Sequence, residues 1–183
     1  PHAQEEVPSE PIFRAPKTKE LAKKAIELRY RLLPYNYTLA FENNQTGAPL
    51  MRPLFFEEPD DKALLLNASA YLWGNDFLVA PVLHANQKEQ TIYFPEKNSW
   101  FDFYTDELFT GGKTIKVPTK KDYIPTYVRA GAFIGMSKVV QSTASFNPND
   151  LILHYYHDAT VLKSKGTLYL DDGVTPNAFE KGK

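Results

Sequence analysis

The sequence contains no cysteine. That excludes a disulfide framework and any zinc site built on thiolates, and it leaves the compartment open. It also lacks a charge excess: 21 basic residues face 22 acidic ones. With no basic stripe to neutralise phosphates, a nucleic-acid partner is not expected. No apolar run is long enough to span a membrane, so none is expected as a partner either. The first residues, PHAQEEVPSEP, have neither the basic head nor the apolar centre of a signal peptide. The chain starts at Pro1 rather than a methionine and reads as a piece of something longer. There is no internal repeat and no low-complexity tract.

What is present points to a packed core. Hydrophobic residues make up 43% of the 183 positions and charged residues 23%, a balance that buries apolar surface rather than staying disordered. The aromatic residues, 11 Tyr and 12 Phe among them, suit sheets and sugar-facing surfaces alike. Residues 1–16 carry four prolines and read as loop, because each proline removes a donor and restricts its predecessor. From Thr18 the periodicity turns helical: Leu21, Ala25, Leu28 and Leu32 form a stripe, with Ala22, Ile26 and Leu33 beside it. Pro34 predicts a kink or break, and Gly47 a terminator.

Beyond Gly47 the chain reads as short strands separated by turns. Arg52–Phe56 reads as a buried strand, and Asp60-Asp61 opens a short helix through Leu64–Leu66. Residues 76–83 read as a strand whose proline, Pro81, favours an edge or a bulge. Residues 91–94, 100–104, 114–117 and 127–134 follow as further strands. Leu151–His157 and Thr167–Leu170 read as the two strands of a hairpin. Strands of this length and spacing argue for a sandwich. Two strands alone cannot bury a core, so the last section reads as the start of a further domain.

Six phrases, in order, resemble the C-terminal third of the family 31 glycoside hydrolases. RYRLLPYNYTLA (29–40) is similar to that family's last barrel helix, and GAPLMRPLFFEEPDD (47–61) to its crossing into a sandwich. LWGNDFLVAPVL (72–83), TIYFPEKNSWFDFYT (91–105) and YIPTYVRAGAFI (123–134) resemble phrases of the sandwich. Asn98 stands where the family usually has glycine. LYLDDGVT (168–175) resembles a phrase of the distal β domain.

The resemblance implies a mainly β chain: an antiparallel β-sandwich preceded by one long helix, the remnant of the last helix of a (β/α)8 barrel. The implied divisions are 1–47 for the end of the barrel, 48–136 for a proximal β-sandwich and 137–183 for the start of a distal β domain. The parent enzyme would be a retaining α-glycosidase of α-glucosidase type, hydrolysing O-glycosyl bonds. This portion would be non-catalytic and would brace the barrel. No cofactor is implied, and a carbohydrate substrate would be met only through the parent's barrel. The same phrases serve α-glucosidases, α-xylosidases and α-galactosidases.

Both catalytic aspartates of that family lie upstream of everything matched. A retaining mechanism needs two carboxyls about 5 to 5.5 Å apart across the bond. The acidic pairs Glu5-Glu6, Glu57-Glu58, Asp60-Asp61 and Asp171-Asp172 all sit in turn contexts, and sequence neighbours rarely face one another across a substrate. No catalytic residue is therefore expected in this chain. Pro1-His2 resembles the end of the phrase after barrel strand eight, whose histidine contacts sugar hydroxyls, so His2 is the implied substrate-binding residue in the parent enzyme. The family often continues with Arg-Glu-Pro-Trp, where this chain has Ser9-Glu10-Pro11-Ile12.

Other features carry blander readings. His154 and His157 fall on opposite faces of a strand and do not share a metal. Asp171-Asp172-Gly173 reads as a turn. Arg52 and Arg129, inside apolar runs, read as structural ion-pair residues at domain contacts. Trp73, Trp100, Phe101, Phe103 and Tyr104 read as sheet core ahead of sugar platforms. Asn36, Asn44 and Asn67 match the glycosylation pattern, with Asn36 inside a helix. A free-standing carbohydrate-binding or structural sandwich is the competing reading. In that case the apolar face of helix 18–45 needs another cover, such as a second copy of the chain.

Overall fold

A computed structural model describes residues 10–56 and 58–182 of the chain. After a short 3-10 turn at Pro11–Phe13 come two helices, α1 (Pro16–Arg31) and α2 (Leu33–Thr46). The single long helix expected is thus two, parted at Leu32. Pro34 has no N–H to give the Tyr30 carbonyl four residues back, and its ring crowds that turn. The carbonyls freed there are taken up from far along the chain. Ser137 Oγ donates to Tyr30 O at 2.9 Å, and Ser137 N donates to Arg31 O at 2.9 Å. Ser137 is buried, so the break is a built joint rather than a loose hinge.

Gly47 ends α2 as expected. Its φ of 75° is the left-handed cap conformation, and its N–H donates to Asn43 O at 2.8 Å. β1 (Met51–Pro53) follows, but Leu54–Phe56 is a 3-10 turn, not more strand. Proline at 53 ends the ladder because it cannot donate to it. Asp61 caps α3 (Lys62–Leu65), its side chain accepting from Ala63 N at 2.9 Å.

The remaining strands are β2 (Tyr71–Trp73), β3 (Phe77–Val79), β4 (Glu89–Phe94), β5 (Trp100–Asp102), β6 (Leu108–Phe109), β7 (Lys113–Pro118), β8 (Thr126–Arg129), β9 (Phe133–Met136) and β10 (Ile152–Tyr155). The main sheet runs β1-β2-β3-β8-β5-β6, and its neighbouring strands pair antiparallel. β4 pairs with β7, and β9 with β10.

Three expectations are corrected here. β3 lies inside the sheet and stops at Val79, so Pro81 follows the strand instead of marking an edge. The run 127–134 is two strands, because Gly131 turns the chain at a φ of 83°. The hairpin of 151–157 with 167–170 does not form. β10 pairs instead with β9, in the register Ile152↔Met136 to Tyr155↔Phe133, and 167–170 is not strand. The pairing partner of a strand is set by what it can bury against, not by nearness in sequence.

The alternation along β3 and β8 shows where the layers sit. Leu78 and Tyr127 point into one core with Leu54, Leu64, Ile92, Phe94, Trp100 and Val117, between the main sheet and the β4–β7 ribbon. Phe77, Val79 and Val128 point the other way, into a core with Leu32, Tyr35, Leu39, Ile134 and Met136 from α2 and β9. The central strands are therefore buried on both faces, which is why they read as continuous apolar runs. Trp100 is fully buried, and its indole N–H donates to Pro95 O at 3.4 Å. Burying each such side chain contributes about 1.5–3 kcal/mol.

Candidate functional site

A groove of ≈ 1730 Å³ lies between α1, α2 and one face of the sheet, lined among others by Leu21, Leu28, Trp73, Tyr104, Tyr123 and Met136. A small-molecule site is typically about 300–1,000 Å³ and holds a few convergent polar groups. This groove is larger, and its lining is mainly apolar on the helix side. α1 contributes an amphipathic stripe to it, yet none of its 16 residues is buried. The geometry suits a polypeptide surface better than a sugar ring.

Four carboxylates of the acidic pairs, Glu58, Asp61, Asp171 and Asp172, are occupied with holding loops. Glu58 is buried and accepts from Lys97 N at 3.3 Å. Asp61 caps α3 through one oxygen and accepts from the Tyr93 hydroxyl through the other at 2.7 Å; that bond pushes the Tyr93 phenol up to about 12. Asp171 accepts from Tyr37, Tyr169 and Gly173 N. Asp172 accepts from Val174 N and Thr175 N. Hydrogen bonds from Tyr37 and Thr175 respectively hold Asp171 and Asp172 below the ordinary carboxylate range. A general acid needs the opposite shift. Glu5, Glu6, Glu57 and His2 lie outside the described residues.

Asp76 does show that opposite shift, and the sequence alone did not single it out. Burial pushes its carboxyl up, Glu42 adds to the rise, and the charges of Arg129 and Arg52 oppose it. It sits in the tight turn between β2 and β3, beneath α2, where its N–H donates to Tyr35 Oη at 3.4 Å. The same hydroxyl donates to Trp73 O at 2.8 Å. Gly74 in this turn has a φ of 65°, and a Cβ there would lie 2.3 Å from Tyr35 Oη. The group is a packed joint between helix and sheet, away from the groove. No local signal marks it, because its burial comes from a helix some forty residues earlier.

The two arginines both reach the turn that holds Asp76. Arg52 is buried, donates to Pro49 O at 2.7 Å and to Asn75 Oδ1, and lies over the Phe56 ring. The Arg129 guanidinium lies 5.6 Å from the Trp100 ring centroid, its backbone N–H donates to Asp76 O, and its Nε is buried without a hydrogen-bond partner. Both brace the β2–β3 turn. Of the aromatic residues weighed as sugar platforms, Trp100 is core, and Trp73 donates its indole N–H to Asn36 Oδ1 at 2.9 Å. Tyr104 stacks on Tyr123 at 4.0 Å, whose ring is in turn approached by Lys120 at 5.1 Å, so neither ring offers a clean face. Among the described residues no group of three His, Asp or Glu side chains is placed to hold a metal ion. His154 lies on β10, and the His157 ring lies 5.8 Å from that of Tyr155.

Comparison with known proteins bears on the whole arrangement. The family model described as the glycosyl hydrolase family 31 C-terminal domain matches residues 47–134. An alpha-glucosidase 2 of Bacillus thermoamyloliquefaciens is 36% identical over 173 residues, covering 94% of this chain but 22% of its own length. An alpha-xylosidase of Saccharolobus solfataricus is 36% identical over 181 residues, covering 96% of this chain and 24% of its own length. A solved family 31 dextranase of Flavobacterium johnsoniae, complexed with glucose, superposes with a TM-score of 0.85 at 29% identity, over 96% of this chain and 21% of that one. The chain thus spans between a fifth and a quarter of the length of these relatives.

Proposed function

Because this chain belongs to the family 31 glycoside hydrolases, as part of their C-terminal region, we propose that it serves as the non-catalytic brace of a retaining α-glycosidase that hydrolyses O-glycosyl bonds. Residues 1–47 would be the end of the catalytic barrel, 48–136 the proximal sandwich and 137–183 the start of a distal β domain. His2 would reach the substrate in the parent enzyme, and the carbohydrate would bind in the parent's barrel. The relatives include both an alpha-glucosidase and an alpha-xylosidase, so the sugar is left at the class of α-glycosides.

The observation that carries this reading is the α1 stripe, which this chain covers toward Leu28 and Leu32 but leaves half-exposed at Leu21 and exposed at Ala25. A helix of 16 residues with apolar periodicity and no buried residue has a face made for a neighbour. The neighbour supplied by this reading is the barrel, the part of the relatives that this chain does not span. The carboxylates support it too, since Glu58, Asp61, Asp171 and Asp172 each accept a backbone N–H and hold local structure.

The test is direct. The purified chain should show no turnover of aryl α-glucosides or aryl α-xylosides above the rate without protein, while the full-length parent should hydrolyse one of them. Clear turnover by the chain alone would mean that the catalytic pair has been misplaced. The competing reading, a free-standing carbohydrate-binding module, is disfavoured by Trp100 and Trp73, both committed to packing. It predicts heat on titration with oligosaccharides, where the brace predicts a flat trace.

A further inference from the structure

α2 is held on two sides, and the second side is unexpected. Tyr35 and Leu39 face the main sheet. Tyr37 lies two positions on, about 200° around the helix from Tyr35, and turns the other way. There it meets the end of the chain. Tyr37 Oη donates to both carboxylate oxygens of Asp171, at 2.9 and 2.8 Å. Tyr169 donates its own hydroxyl to Asp171 Oδ2 at 2.9 Å, and its backbone N–H donates to Thr38 Oγ1 at 3.0 Å. The Tyr169 ring is stacked on Phe41, with centroids 3.8 Å apart and planes 5° from parallel, and Phe179 closes on Phe41 at 4.9 Å. Ala178 is buried.

The hydrogen bonds from Tyr37 and to Thr38 span more than 130 residues, and their partners Asp171 and Tyr169 lie outside any regular strand or helix. They are instead organised by two turns. Asp171 accepts from Gly173 N and Asp172 from Thr175 N, so the segment carries its own shape. Asp171 is the centre: one carboxylate accepts from two phenols on different elements and from a backbone amide, all charge-assisted bonds.

We propose that residues 169–179 are a strap that clamps α2 against the sandwich, with Asp171 as its positioning residue. The strap presses on the face of α2 opposite the sheet, so α2 is gripped between the two. The consequence is that the last segment of the chain acts on the helix directly, not through the intervening strands. This does not depend on the activity proposed above for the parent enzyme.

Hydrogen–deuterium exchange on the full 183-residue chain tests it. Asp171→Ala and Tyr37→Phe should each speed exchange in peptides covering residues 36–46 by roughly tenfold, the scale on which losing a charge-assisted contact shifts a local opening. Peptides covering β3 and β8 should keep their protection. The double variant should be no faster than the quicker single one, because both remove the same contact. Tyr37→Phe keeps the ring and its packing, so it reads the bond and not a folding failure. Unchanged exchange in 36–46 in both variants would overturn the strap. So would acceleration of equal size in α2 and in the sheet, or additive effects in the double variant.

Discussion

α1 and α2 are consecutive helices separated by one residue, and they are held in opposite ways. α1 has the clearer apolar stripe, yet none of its residues is fully buried, and Leu28 is half-buried against the core. Two exposed pairs cross its surface, Lys24 with Glu20 at 3.1 Å and Lys23 with Glu27 at 3.7 Å, of the kind that adds little to stability. α2 has the less regular pattern, yet it buries Pro34, Tyr35, Thr38 and Leu39. It is fastened by Trp73 and Asp76 of the β2–β3 hairpin and by Tyr169, from two other parts of the chain. A stripe therefore tells that a face is meant for burial, but not which surface covers it. In α2 the cover lies within the chain. In α1 the chain covers the end at Leu28 and leaves Leu21 half-exposed and Ala25 exposed, which is the difference that the proposed barrel neighbour would account for.

The sharpest way to break the comparison is to cut one leucine from each helix. Leu39→Ala opens a cavity beneath α2 and should cost about 2–5 kcal/mol. Leu21→Ala, on a half-exposed site, should cost under about 1 kcal/mol. Urea midpoints of the two variants check this. Equal losses would mean that α1 is packed in solution, with a second copy as the evident cover.

A smaller effect separates the helices by pH. Burial raises the Asp76 carboxyl under α2, against the pull of Arg129 and Arg52. The folded state therefore favours the protonated acid. Its contribution to stability is complete below the ordinary aspartate value, about 3.9, and is lost as pH rises through the native value. Asp171 and Asp172, held low by hydrogen bonds, act with the opposite sign and lose their contribution as pH falls. Asp76→Asn should thus gain on the wild type as pH goes from about 4 to about 7, read as diverging urea midpoints. Parallel midpoints would remove Asp76 from the joint.

The smallest expected effect lies on α1. Its bond with Lys24 holds Glu20 below the usual carboxylate range, but the pair is exposed and screened. Glu20→Gln should leave the thermal midpoint unchanged at moderate salt. A clear drop would show that α1 depends on its surface charges.

Local chemistry carried a good part of the fold. Pro34, Gly47 and Asp61 each mark an end or a break that depends on a few neighbouring residues, and each acts within two residues of where it was expected. The alternation around Trp100 placed it in the core for the same reason. The joint between α2 and the sheet was less legible. Asp76 reads as an ordinary turn residue until Tyr35 is laid over it. Residues 52–56 have strand composition, but Pro53 stops the ladder.

What the sequence by itself determined was the kind of each segment and the order of the six phrases that resemble a family. Both follow from short-range sterics, backbone hydrogen bonding and periodicity. What only the tertiary structure decided was partnership: β10 with β9 and not with 167–170, Ser137 with the broken turn at Tyr30, Asp171 with Tyr37. A partner is chosen by the burial and hydrogen bonds available once distant segments meet, and no local pattern holds that information.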